Sequence, residues 1–191
     1  MSVAGLILAA GESRRMGSPK ALLEYRGETF VDRLSGLFAR RCSPVIVVLG
    51  SEAESIRARA ARQAEFVVNP NYGTGQTSSL QCGLRAVPAD AEGVLFTLVD
   101  HPAVAPETLD RLLAEPRPLL RVPRYGDRRG HPVWFRRDLF AEFLSLPETG
   151  AARDVVYAHR AETEFLDLDD AGVVADVDDP AAYRELLEAS R

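Results

Sequence analysis

Residues 3–10 form an unbroken apolar run that ends at Gly11. That is the pattern of a strand buried on both faces and feeding a loop. A helical pattern follows over 30–41, with Phe30, Val31, Leu34, Leu37 and Phe38 on one face. Thr29 and Asp32 stand at capping-box spacing, Asp replacing the usual Glu or Gln. Residues 44–50 predict a second buried strand bounded by Pro44 and Gly50, and an Ala/Arg/Glu-rich helix over 52–64 leads into a short strand at 66–68. After a Gly/Asn loop at 69–76 come a helix over 78–86 and a fourth strand at 93–99, stopped by Asp100-His101-Pro102. Nearly unbroken apolar strands alternating with helices imply a parallel sheet with helices on both faces. Such sheets bind ligands at the carboxyl ends of their strands.

The second half reads differently. Extended runs at 119–125 and 131–135, joined by Gly126-Asp127-Arg128-Arg129-Gly130, predict an antiparallel hairpin. Helices follow at 137–144 and 152–159, then short strands at 164–168 and 173–177. Asp179-Pro180, a cap followed by proline at the first helical position, starts a final helix. With no repeat, linker or low-complexity segment, residues 1–191 read as one α/β domain with an antiparallel excursion.

Composition narrows the function. The chain has 191 residues, 46% hydrophobic and 27% charged, with a net charge of −5. The mild acidity argues against a nucleic-acid binder, which usually carries a strongly basic face. No apolar stretch reaches the ~18 residues of a membrane span, and no basic leader precedes the first apolar run. Cys42 and Cys82 lie far apart without CxxC spacing, so a disulfide framework and a thiolate zinc site are not expected, and a cytoplasmic location is.

The positive charge is uneven, and that is the first functional clue. Arg14, Arg15 and Lys20 fall within seven residues of one another in the loop after the first strand. Small Ala9 and Ala10 let a ligand approach the main chain, and three cations suit a polyphosphate. A solvated turn would carry the same residue types. The loop is neither a P-loop, since Lys20 does not follow a glycine, nor a GxGxxG dinucleotide fingerprint.

Residues 8–20 resemble the Leu-Ala-Ala-Gly-x-Ser-x-Arg-Met-Gly-x-x-Lys signature of the MobA-like nucleotidyltransferases. Leu8, Ala9, Ala10, Gly11, Ser13, Arg15, Met16, Gly17 and Lys20 carry the match. The resemblance implies a Rossmann-like nucleotidyltransferase fold. It implies a loop that wraps a nucleoside triphosphate, with Leu8, Ala9, Ala10 and Gly11 facing the nucleotide and Arg15 and Lys20, with Arg14 beside them, neutralising pyrophosphate. Residues 69–84 are similar to a second family segment and imply nucleotide contact at Asn69, Gly75, Gln76 and Ser79; a plain helix cap would look alike. Asp100, in Val99-Asp100-His101-Pro102, resembles the family's Asp-x-Pro magnesium site. Asp178 is the second expected Mg2+ ligand, with Asp176 in reserve and Asp179 as helix cap. Gly130, His131 and Pro132 resemble a Gly-His-Pro motif beside the acceptor site. Arg128, Arg129 and Trp134 around it suit an anionic, flat acceptor, while Arg153 sits in a segment that departs from the family pattern by one alanine.

The expected reaction is Mg2+-dependent transfer of CMP from CTP to molybdopterin with release of pyrophosphate. The expected partners are these small molecules and a molybdoenzyme or its maturation factor. Ala-Ala-Gly favours CTP, because Ala10 would narrow a base pocket where guanylyl enzymes tend to have glycine. Three alternatives stand beside it: transfer to a sugar phosphate or methylerythritol phosphate, a non-catalytic cofactor escort, and a dinucleotide-dependent oxidoreductase. The last is weakened by the missing GxGxxG.

Overall fold

The computed structural model describes residues 2–61, 64–147 and 150–189. In chain order the first half holds β1 (Ser2–Ala9), a small hairpin of β2 (Glu24–Tyr25) and β3 (Glu28–Thr29), α1 (Phe30–Phe38), β4 (Val45–Leu49), α2 (Ala53–Arg59), β5 (Glu65–Val68), α3 (Gln76–Ala86) and β6 (Ala91–Leu98). The second half holds α4 (Pro106–Leu112), β7 (Leu120–Tyr125), β8 (Arg128–Arg129), β9 (Val133–Arg136), α5 (Phe140–Ser145), α6 (Ala152–Ala158), β10 (Thr163–Asp167) and α7 (Pro180–Ala189).

Successive side chains of a strand point to opposite faces, so an all-apolar strand must be covered twice. Val3, Ile7 and Ala9 of β1 enter one apolar cluster with Phe30, Leu34 and Phe38 of α1 and Leu109 and Leu112 of α4. Ala4, Leu6 and Leu8 enter the other with Leu80 and Leu84 of α3 and Phe140 and Phe143 of α5. Gly83 lets α3 lie close on the sheet, for a Cβ there would stand 2.4 Å from Leu6 Cδ1. Each fully buried Leu or Phe side chain contributes about 1.5–3 kcal/mol.

The main sheet has the order β10-β7-β9-β6-β1-β4-β5, with β8 on β7. The pairs β1–β4, β1–β6, β4–β5 and β7–β10 are parallel, and β9 is antiparallel to both neighbours. From β1 the chain moves out to β4 and β5, then returns to the other side of β1 as β6. The carboxyl ends of β1 and β6 therefore flank a topological switch point, where open α/β sheets bind ligands.

Three expectations change. Residues 173–177 are not a strand: Ala171–Val174 form a 3-10 turn, because Asp170 caps it through Gly172 N at 2.9 Å. Helix α4, absent from the sequence reading, starts with proline at its first position, and its N-terminus is tied by Asp170 Oδ2, which accepts from Ala105 N (3.0 Å) and Thr108 Oγ1 (2.6 Å). The second helix ends at Arg59 rather than 64, where Ala60 turns extended; residues 62–63 of that expected helix lie outside the described residues. Among the described residues no helix is long and apolar enough to cross a membrane.

Candidate active site

The loop leaving β1 is organised around Ser13. This residue has φ 50°, its carbonyl accepts from Met16 N (2.9 Å) and Gly17 N (3.2 Å), and its Oγ accepts from Lys20 N at 3.0 Å. Gly17, at φ 72°, closes the turn in the region that glycine enters without steric cost. Ala21 and Leu22 are buried directly afterwards, so Lys20 stands where the loop is anchored to the core. Its Nζ lies 2.7 Å from Asp178 Oδ1 and 3.4 Å from Asp100 Oδ2, while Arg15 Nη2 donates to Asp178 Oδ2 at 3.0 Å.

Backbone pairing brings the two aspartates together. Val99 N donates to Leu8 O at 3.0 Å, which sets Asp100 beside the exit of β1. Val177 N donates to Asp100 O at 2.9 Å, which carries Asp178 to the same spot. Asp179 then caps α7, accepting from Ala181 N (2.9 Å) and Ala182 N (3.0 Å). Asp176 instead faces Arg128 at 3.7 Å, outside the cleft. Burial raises the Asp100 pKa, but the His101 hydrogen bond and the charges of His101 and Lys20 outweigh it and hold the carboxyl below its ordinary range. The Lys20 hydrogen bond, then the Lys20 and Arg15 charges, lower that of Asp178.

These groups wall a cleft of about 320 Å³. Leu8, Ala9, Ala10, Gly11, Arg14, Arg15, Lys20, Asp100 and Asp178 line it from the β1 and β6 ends, and Gly75, Gln76 and Ser79 from α3. A side chain at Gly11 would meet nothing within 4 Å, so its absence leaves room in the cleft rather than relieving a clash. No side chain caps the N-terminus of α3, so its first N–H groups remain available to an anion. Arg14 pairs with Glu12 and is exposed. Ser13, Ile56 and Tyr72 also line the cleft. Ser13 and Tyr72 sit within the segments that resemble the family, and nothing in the sequence marks Ile56.

Asn69 stands apart from the predicted nucleotide contacts. It is 3% exposed and does not line the cleft. Its Nδ2 donates to Ser78 Oγ (2.9 Å) and Ser79 Oγ (3.0 Å) and its Oδ1 accepts from Asn71 N (3.0 Å), so it shapes the loop from beneath.

Beyond Gln76 a second chamber of about 260 Å³ opens, and Gln76 lines both. Its wall is mostly apolar, including Leu80, Phe96, Phe135 and Phe143, with Arg129, Arg153 and Tyr157 among its polar members. Gly130 and His131 line it while Pro132 is buried outside it. Gly130 is required by close approach, since a Cβ there would lie 1.9 Å from Val173 O. Trp134 does not reach this chamber: it is fully buried in the opposite cluster, with Nε1 donating to Pro118 O at 2.9 Å. It belongs to the core because β9 runs inside the sheet rather than at an edge. Arg128 turns away too, donating to Val174 O at 3.1 Å.

The donor set fits a divalent cation. Among the described residues no three His, Cys, Asp or Glu side chains converge, so the protein offers the carboxylates of Asp100 and Asp178 beside an open cleft. Magnesium is commonly held in this way, by one or two carboxylates with water and substrate phosphate oxygens completing its shell.

A mostly parallel sheet with such a cleft at its switch point is the fold of the nucleotidyltransferases. The chain belongs to the MobA-like NTP transferase domain family, which matches residues 5–163. It is 38% identical over 143 residues to nicotine blue oxidoreductase of Paenarthrobacter nicotinovorans, covering 69% of each chain. It is 31% identical to a probable molybdenum cofactor guanylyltransferase of Mycobacterium avium, over 99% of this chain and 97% of that one. The crystal structure of the Rv0371c protein of Mycobacterium tuberculosis superposes with a TM-score of 0.87 at 36% identity, covering 98% of both chains. A manganese complex of that protein gives 0.82 at 33% identity, covering 99% of this chain and 100% of that one.

Proposed function

We propose that this protein transfers CMP from CTP to molybdopterin, releasing pyrophosphate. The observation that carries the reading is the contact of one ammonium, Lys20, with both Asp100 and Asp178 at the mouth of the β1 loop. The triphosphate lies along residues 11–20, with the base toward Ala10 and Tyr72 and phosphate oxygens at the N-terminus of α3. Asp100 and Asp178 would hold a divalent cation, Mg2+ or Mn2+, and such an ion would supply neutralisation of phosphate charge. Lys20 pairs with the β- and γ-phosphates, and Arg15 does the same from the rim. A phosphate oxygen of the acceptor attacks the α-phosphorus, the bond to the bridging oxygen breaks, and pyrophosphate leaves with the charge that Lys20 and Arg15 stabilise. The acceptor rings occupy the second chamber and reach the α-phosphate past Gln76, with Arg129 and Arg153 for anionic groups. A flat acceptor fits the apolar chamber better than a sugar phosphate does.

The methyl of Ala10 supports CTP over GTP, a selectivity of about 1–3 kcal/mol at most. The name of the M. avium relative makes GTP the direct competitor. Incubation with each nucleotide, Mg2+ and molybdopterin is expected to give pyrophosphate and a cytosine dinucleotide product. A guanine product would reassign the donor, and absence of pyrophosphate would refute transfer. A second reading is a dinucleotide-dependent oxidoreductase. It is favoured by the 38% identity to a protein named as an oxidoreductase and by the apolar second chamber. Oxidation of NADPH without pyrophosphate release would establish it.

A further inference from the structure

His101 lines neither chamber but touches a residue of each, Asp100 of the donor cleft and His131 of the second chamber. It is 6% exposed, and its Nδ1 stands 2.9 Å from Asp100 Oδ1. Facing a carboxylate, that nitrogen must carry the proton, so His101 donates and Asp100 accepts. The hydrogen bond occupies Oδ1 and leaves Oδ2 as the oxygen toward Lys20. The other side of the ring is held as well: His101 packs edge-on against His131, with centroids 4.9 Å apart and planes at 61°. His131 packs in turn against Phe96, at 5.4 Å and 76°, and lines the second chamber. A hydrogen-bonded carboxylate has fewer orientations to lose when it takes up a cation.

We propose that His101 is a positioning residue, which fixes the rotamer of Asp100 so that Oδ2 faces the cleft, with the His131 ring as its backstop. The proposal rests on reading Asp100 as the carboxylate presented to the divalent cation. It assigns no proton transfer to either histidine.

The test compares His101→Phe, which keeps a ring against His131 but removes the N–H, with His101→Asn, which restores a donor close to the place of Nδ1. Mn2+ alone is titrated into each protein, with free Mn2+ read by electron paramagnetic resonance, and steady-state kinetics are measured in parallel. His101→Phe is expected to weaken Mn2+ binding and lower kcat by about 10–100-fold, the usual cost of losing such a support. The nucleotide KM is expected to stay within about threefold, and His101→Asn to recover most of both losses. If His101→Phe does not fold, His101→Ala with added imidazole replaces it, and imidazole is expected to restore Mn2+ binding. The proposal is overturned if the variant lacking the N–H binds Mn2+ like the wild type, or if neither Asn nor imidazole recovers anything. Wild-type protein that binds no Mn2+ overturns it together with the cation site. Wild-type protein that binds Mn2+ but releases no pyrophosphate from any nucleotide refutes the transfer reaction and leaves the Mn2+ comparison to decide this proposal.

Discussion

Two residues carry opposite electrostatic duties at the site. Lys20 balances Asp100 and Asp178 with a single charge, and each carboxylate keeps a second partner, His101 or Arg15. Lys20→Ala therefore leaves the fold intact, and its turnover is expected to fall about 10²–10³-fold, the scale of losing one stabilising donor. Pyrophosphate release by a variant shown to be folded by circular dichroism checks this, and turnover within about threefold of wild type would remove Lys20 from its role. His131 is the converse case, a base held neutral. Burial, then the nearby His101 charge, lowers its pKa from 6.5 to about 4, and its Nδ1 is buried without a hydrogen-bond partner. Between those two pH values the unfolded chain binds a proton that the native protein does not. Stability therefore falls as pH drops from 6.5 toward 4, by at most about 1.4 kcal/mol per pH unit for one such group. Thermal melts across that range are expected to show a shallower slope for His131→Leu than for wild type; equal slopes would contradict the assignment.

Among the elements, the turn Ala171–Val174 matters more to the site than its length suggests. It packs against Gly130, and the chain leaving it pairs through Val177 with Asp100. Gly130→Ala would force a Cβ to within 1.9 Å of Val173 O, so the turn must move and Asp178 with it. The expected result is a loss of about 1–3 kcal/mol in stability, typical of overpacking, with weaker binding of the divalent cation. Denaturant unfolding and Mn2+ titration check both parts, and a variant unchanged in both would show that this turn does not position Asp178. The sequence could not display this linkage. β1, β4 and β6 are legible because a strand covered on both faces is apolar throughout, and the loop after β1 is legible because Arg15 and Lys20 crowd behind such a strand. The 3-10 turn reads as a strand because Val173 and Val174 are β-branched, while what bends it is Asp170 acting on Gly172, Ala105 and Thr108 at once. Trp134 reads as an acceptor surface because the hairpin pattern does not reveal that β9 inserts between β6 and β7. Asn69 lies in a recognised segment, but its hydrogen bonds turn it beneath the loop.

For the molecule as a whole, sheet order decides where chemistry is possible. Insertion of β9 beside β6 sets the donor cleft and the apolar chamber side by side, with Gln76 common to both and the His101–His131 pair behind them. The donor cleft comes from the first half of the chain, completed by Asp178, while the chamber draws much of its wall from β7, β9, α5 and α6. Calorimetric titration of CTP, GTP, ATP and UTP into wild type and Lys20→Ala, each with and without Mg2+, tests the triphosphate site most directly. Binding to the wild type is expected to be saturable, to need Mg2+, to be tightest for CTP, and to weaken by about tenfold or more without Lys20, as loss of a charge-assisted contact requires. Failure of every nucleotide to bind, or binding indifferent to both Mg2+ and Lys20, would contradict it.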